Sequence, residues 1–361
     1  QVIPKAPPVS TGPDTSGGTG LPEDQARHRV ALLVPLAGPN GAVGQAIANA
    51  ATMAVMDTNA KNLRITTYDT SAGAASAAAK ALADGNRLIL APLQAADITA
   101  VAATARTARI PVIALASDEA FAARDVFVMG SVPSQSIGRT VAYARQHGMN
   151  RFSALVPAGD YGQRASAAFT SAVRAAGGTL VGFETFDRSN TSIASAAQRL
   201  RQKGHSDVVL VADGVRLSAL AAPAFRPTAT TPSARIIGTE LWSGESALGA
   251  TPALRGAWYA AVSDTRFRQF ADSYRTRFGA LPFRVSTLGY DSVLLTLRIA
   301  RDWRPGTAFP TARLLDRGGF LGLDGPFRFN ANGVVERALE VREVRAGGVN
   351  VVSPAPARFE D

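Results

Sequence analysis

The chain has 361 residues, a formal net charge of +10 and no cysteine. Its 46% hydrophobic content is enough for packed cores, and at roughly 150 residues per domain the length predicts two domains. The missing cysteines exclude disulfides, iron–sulfur clusters and thiolate-bound zinc. No apolar run reaches the roughly 18 residues a membrane-spanning helix needs. Only four of the 38 basic residues are lysine, so the positive charge reads as an arginine-rich composition spread along the chain. No basic run interleaved with aromatics is present, and no nucleic-acid partner is expected. The three histidines (His28, His147, His205) are far apart, so no metal or other cofactor is expected either.

Residues 1–27 hold Pro, Gly, Ser and Thr without apolar periodicity and read as a flexible tether. They lack the apolar core of a signal peptide, and the chain starts at Gln1, so a processed and lipid-anchored N-terminus is the expectation. From residue 29, short β-rich runs alternate with Ala-rich helical stretches. The strands are expected at 29–36, 63–68, 88–90, 112–115, 152–156, 180–184, 208–211 and 235–237. The helices between them are expected at 42–57, 72–83, 98–108, 136–146, 163–176, 193–203 and 217–224. This alternation predicts βαβ units and parallel sheets, an α/β fold.

An internal repeat divides the chain. RVALLVPLAG from Arg29 returns about 120 residues later as RFSALVPAGD from Arg151, sharing the Arg, Leu33/Leu155, Val34/Val156 and Pro35/Pro157. VGQAIANAATMAV then matches YGQRASAAFTSAV, with Gly44/Gly162 and Gln45/Gln163 in register. Two similar Rossmann-like lobes follow.

In such folds ligands sit beyond the carboxyl ends of the strands, so the strand-end loops of the two lobes should line a cleft. The candidate lining is Pro39, Asn40, Gly41 and Val43, then Gln94 and Ala95, then Ser117 and Asp118 from lobe one. Lobe two offers Tyr161, Asp213, Glu240 and Trp242. No nucleophile elbow, P-loop or dinucleotide fingerprint accompanies them, so no enzyme and no catalytic residue is expected. The stripe Phe267, Phe270, Tyr274, Phe278 has helical spacing and reads as core.

The ordered run VALLVPLAGPNGAVGQA, APLQAADI, IPVIALAS, YGQRASAAFTSAVRAAGG, GYDSVLLTLRIAR and GPFRFNANGVVERALEVREV resembles the type I periplasmic binding proteins, the leucine/isoleucine/valine-binding-like family, over residues 29–352. The pieces APLQA, ALASDEAF, GTELWSG, LRGAWYAA and LDGPFRFNANGVVER resemble the penicillin-binding protein activator subgroup. The resemblance implies two lobes joined by three crossovers, with lobe one at 28–135 plus 262–305, lobe two at 136–261 plus 306–352, and a tail at 353–361. It implies a non-enzymatic periplasmic lipoprotein, anchored at the outer membrane, whose partner is a peptidoglycan synthase. The alternative is the substrate-binding protein of an ABC importer for an amino acid or related small polar ligand.

In the resembling amino-acid binders, hydroxyl side chains near Gln94–Ala95 and 116–118 hold the ligand carboxylate. Here Ala95 has no hydroxyl, and Asp118 puts a negative charge where that carboxylate sits. Two like charges about 4 Å apart repel by several kcal/mol. The aromatic expected near Val43 is missing. Glu240 matches the acid that pairs with the ligand ammonium, and Tyr161 matches the lobe-two aromatic. The resemblance therefore implies a cationic or neutral ligand, or none, rather than a free amino acid.

Overall fold

The computed structural model describes residues 26–230 and 232–359. All but the last two residues of the expected tether lie outside the described residues. The chain opens with strand β1 (His28–Val34), followed by α1 (Gly41–Asp57), β2 (Leu63–Asp69), α2 (Ala74–Ala83), β3 (Ile89–Leu90), α3 (Ala95–Thr107), β4 (Val112–Ala114) and β5 (Val126–Val128). These strands form one all-parallel sheet in the order β2-β1-β3-β4-β5. A parallel sheet is covered on both faces, and β1 shows why its sequence is almost continuously apolar. Val30, Leu32 and Val34 point to one buried cluster, Ala31 and Leu33 to another.

The second set repeats the plan. It runs α4 (Pro133–Gln146), β6 (Arg151–Pro157), α5 (Asp160–Ala175), β7 (Thr179–Phe186), α6 (Asn190–Gln202), β8 (Val208–Val211), α7 (Val215–Ala221), β9 (Arg235–Ile237) and β10 (Trp258–Ala261). The chain then makes α8 (Thr265–Phe278) and α9 (Ser286–Ala300), a small antiparallel sheet of β11 (Phe320–Gly322), β12 (Gly325–Phe329) and β13 (Val335–Arg337), and finally the hairpin β14 (Glu340–Arg345) and β15 (Gly348–Ser353). The lobe-two sheet has the order β15-β14-β10-β9-β8-β6-β7, parallel from β7 to β10 and antiparallel across β14 and β15. The expected strands and helices are present. Strand β5 and the strands from β10 to β15 are additions.

The repeat has a steric basis. A Cβ on Gly44 of α1 would lie 1.8 Å from the Pro35 carbonyl oxygen, and one on Gly162 of α5 would lie 1.7 Å from the Pro157 carbonyl oxygen. In both lobes the first helix packs directly onto the end of the first strand, and only glycine permits that approach. The aromatic stripe of α8 is core: Phe270 and Tyr274 are buried against Ala46, Ala50 and Met53 of α1.

The lobe boundary differs from expectation. Trp303, Phe309, Leu314, Phe327, Phe329 and Val335 share one buried cluster with Val30, Ile47 and Leu288. Segment 306–337 therefore packs into lobe one, and only the hairpin β14–β15 joins lobe two. The Trp303 indole stacks on His28 at 4.1 Å and meets the Phe309 ring edge-on at 5.1 Å, tying this segment to the start of β1. The reading that placed 306–352 wholly in lobe two followed the family outline, in which no apolar period marks where the chain changes lobe. Ser353, taken as the start of the tail, is the last residue of β15. Beyond it, the Phe359 ring lies 4.7 Å from the Arg328 guanidinium of β12.

Three crossovers lie side by side between the lobes and are cross-linked by polar contacts. The Arg337 guanidinium donates to the Met129 carbonyl at 2.8 Å, and its backbone N–H donates to Gln135 Oε1 at 2.9 Å. Ser136 Oγ donates to the Ala260 carbonyl at 2.7 Å. Arg342, 2% exposed, donates to Glu340 at 2.7 Å and the Val262 carbonyl at 2.6 Å, and also to Asp264. None of the described helices is long and apolar enough to cross a membrane.

Candidate functional site

The carboxyl ends of β6, β8 and β9 turn at once into loops or helices, so their following residues face lobe one. Tyr161 follows Gly159, whose φ of +96° turns the chain into α5. Glu240 opens a short 3₁₀ turn after β9, with Thr239 capping it through Oγ1 to the Leu241 N–H at 3.4 Å. These local turns bring Tyr161 and Glu240 together: the Tyr161 hydroxyl donates to Glu240 Oε1 at 2.9 Å and lies 2.9 Å from Thr239 Oγ1. The other carboxyl oxygen of Glu240, Oε2, is shielded from solvent and has no hydrogen-bond partner.

Burial pushes the Glu240 carboxyl up to about 7, against the lowering effect of the Tyr161 hydrogen bond and the Arg164 charge. Burial, and next the Glu240 charge, push the Tyr161 hydroxyl far above its ordinary range. The hydroxyl therefore stays a donor at all ordinary pH, while Glu240 changes charge near neutrality.

Asp118 does not stand in the cleft as a bare negative charge. Its Oδ2 accepts from Arg164 Nη1 at 2.8 Å, and its Oδ1 accepts from the Ala120 N–H at 3.0 Å. Arg164 comes from α5, one turn after Tyr161, and its guanidinium lies 6.0 Å from the Tyr161 ring. An ion pair thus joins the rim of lobe one to the polar cluster of lobe two. Sequence reading missed Arg164, although YGQR places it three residues after Tyr161, on the same helix face.

Beside this cluster, at the crossovers, lies a small pocket of about 20 Å³ bordered by Glu240, Ser243, Gln135, Ser136 and Arg337. That is room for about one water. Ser243 Oγ and Arg337 Nε and Nη1 are buried there without partners, as is Glu240 Oε2. Sequence reading missed Arg337, the last residue of β13, because its partners Met129 and Gln135 lie on a segment far away in the chain.

The remaining expected residues fall into two groups. Trp242 is fully buried core: its indole N–H donates to the Asp213 carbonyl at 2.9 Å, and it packs on Tyr259. It is not a cleft residue. A Cβ on Gly238 would meet its ring at 2.3 Å, so the glycine before the turn exists to seat this indole. Asp213 is buried, and its carboxylate is occupied by Arg188 Nε at 2.8 Å and the Gly214 N–H at 2.7 Å.

Pro39, Gln94, Ala95 and Ser117 are exposed on the lobe-one rim, and Asn40 is half-buried there. Gly41 is buried beneath that loop, and Val43 packs partly into the lobe-one core. No hydrogen bond or ion pair among the described residues ties these seven to Tyr161 or Glu240. Among the described residues there is no group of acids and histidines arranged to hold a metal.

Comparison with known proteins places this geometry. An uncharacterized protein of Rickettsia prowazekii is 24% identical over 189 residues, 52% of this chain and 50% of that protein, so the chain spans about half the length of the curated relative it matches. A putative branched-chain amino acid ABC transporter protein from Rhodospirillum rubrum, 20% identical, superimposes with a TM-score of 0.76 over 90% of this chain and 100% of its own. A solute binding protein of an ABC transporter from Rhodopseudomonas palustris, solved with 3,4-dihydroxybenzoic acid, is 18% identical and superimposes with a TM-score of 0.68 over 93% of this chain and 98% of its own. The sequence profile described as "Periplasmic binding protein" matches residues 28–349, almost the whole of both lobes. The chain belongs to the periplasmic binding protein family.

Proposed function

We propose that the chain is a non-enzymatic solute-binding protein of the periplasm that serves an ABC importer and takes a small polar ligand between its lobes. The observation that carries this reading is Glu240, held by Tyr161 and Thr239 through one oxygen and offering the other, buried and unpartnered, at the floor of the cleft. A buried polar atom without a partner costs free energy, and a ligand N–H or ammonium would recover it. The solved structures named above support the class: one is a putative branched-chain amino acid ABC transporter protein, and the other holds 3,4-dihydroxybenzoic acid. With room for about one water beside Glu240, the lobes must part for entry.

A thermal-shift screen with amino acids, amines and aromatic acids tests it. A ligand at about 100 times its Kd adds roughly 2.7 kcal/mol of stability. The expected result is a saturable shift that Glu240→Gln and Tyr161→Phe both weaken. The absence of a shift from every solute overturns the importer reading.

A second reading, an activator of a penicillin-binding protein that stimulates peptidoglycan synthesis, draws support from the Arg164–Asp118 pair, which closes the rim without any solute. It predicts direct binding to a peptidoglycan synthase and no solute response.

A further inference from the structure

At the opposite end of lobe two from the cleft, the N-terminal ends of β8 and β9 border a cavity of about 590 Å³. That volume suits a small organic ligand. Phe225, Ile236 and Leu254 back it from the lobe-two core, almost wholly buried, with Met149 half-buried beside them, so its surface is mostly polar. Basic side chains reach it from five separate segments. His147 closes α4, His205 precedes β8, Arg226 follows the 3₁₀ turn at Ala222–Phe225, Arg235 opens β9, and Arg255 follows the turn at Pro252–Leu254.

The charge there is unbalanced. Asp207 is the one acid among the lining residues. Its Oδ2 accepts from the Asn150 and Arg151 N–H groups at 2.8 Å each, and its Oδ1 lies 3.2 Å from His205 Nε2. Arg235 is fixed in place: it donates to the Gly256 carbonyl, lies 4.4 Å over the Trp258 ring and stands 3.9 Å from Glu343. Arg226 and Arg255, both exposed, have no ion pair or side-chain hydrogen bond among the described residues. The carboxyl end of α4 opposes an anion, but His147 Nδ1 already lies 2.8 Å from its Tyr143 carbonyl.

Cations gathered in a concave surface focus the field on whatever enters. Guanidinium forks match the oxygens of phosphate. Two unpaired arginines suit a group carrying nearly two negative charges, as a phosphate monoester does at pH 7. The volume leaves room for an organic body beside the phosphate.

We infer that this cavity is a second binding site, separate from the cleft, for an organic phosphate monoester, whether free or as a lipid headgroup. None of the residues proposed for the cleft takes part, so the inference stands whatever the cleft binds.

Trp258 lies beneath Arg235 and reports on the site. Titration of the protein with phenyl phosphate should change tryptophan emission saturably. Vesicles of phosphatidylcholine containing phosphatidic acid form the second arm. A response to phenyl phosphate assigns a free ligand, and a response to the vesicles alone assigns the headgroup. The double variant Arg226→Glu/Arg255→Glu, both on exposed side chains, should weaken the responding arm at least about tenfold and leave circular dichroism unchanged. Unchanged affinity in that variant overturns the inference, as does the lack of any saturable response at about millimolar ligand.

Discussion

Arg164 of lobe two and Asp118 of lobe one face each other across the cleft, Nη1 to Oδ2 at 2.8 Å. A part-exposed pair of this kind contributes on the order of 1 kcal/mol. It ties the rim of lobe one to lobe two. Replacing either residue by alanine should shift the lobes toward an open state by about fivefold in population. Small-angle scattering should show a larger radius of gyration in Arg164→Ala and Asp118→Ala, and no further change in the double variant. Three identical scattering curves would show that the pair does not govern closure.

Glu240 makes stability depend on pH. Its native carboxyl holds its proton up to about 7, while the unfolded one loses it near 4.5. Between those values the native state binds more protons, so this contribution is fully present below 4.5 and is lost as pH rises through 7. The size is at most about 3 kcal/mol. Chemical denaturation of Glu240→Gln should show a flatter pH profile across that window. Asp291, buried in α9 near Asp324, is raised by burial and then by the Asp324 charge, and has the same sign. Asp291→Asn should therefore remove a separate part of the slope.

Gly44→Ala and Gly162→Ala should each destabilise the protein by about 3 kcal/mol, because the new methyl group meets a strand-end carbonyl that cannot move without shifting the helix. At roughly 2–4 °C per kcal/mol the midpoint falls by about 6–12 °C. Calorimetry would show this directly. A loss below about 1 kcal/mol would mean the first helices are looser on their strands than the structure has them.

Arg342→Met strands Glu340 and Asp264 beside a buried aliphatic chain. Breaking such a pair costs about 3–5 kcal/mol. Because Arg342 also holds the Val262 carbonyl of a crossover, equilibrium unfolding should lose cooperativity between the lobes. A single sharp transition with the wild-type midpoint would argue against that role.

The strands and helices of the first 240 residues could be read because each is bounded by Gly, Pro, Asp or Asn and carries its own apolar pattern. Tyr161 and Glu240 could be read because they sit on strand-end loops, where an α/β fold puts its ligands. Trp242 misled because an aromatic two residues after Glu240 looks like lining, and only the missing side chain at Gly238 tells where it turns. Arg164, Arg337 and Asp118 depend on contacts between distant segments. A charge in sequence does not show which partner it finds, so Asp118 read as a repellent when it is one half of an ion pair. The change of lobe near residue 338 was equally hidden, since β13 and β14 follow one another without a change of pattern.

The small sheet β11–β13 also sets an order of events. The lobe-one sheet is complete by Val128, yet the face that carries Val30, Leu32 and Val34 is only partly covered, by Ile47 and Ala51 of α1, until Leu288, Phe327 and Val335 arrive. Lobe two waits too, because β10 has no neighbour on its outer side until β14 is made. Neither half can finish while the last fifth of the chain is still emerging. A chain cut short before Val335 leaves both halves with apolar faces open to water, so such truncated products of this protein should aggregate or be degraded rather than survive as one folded lobe.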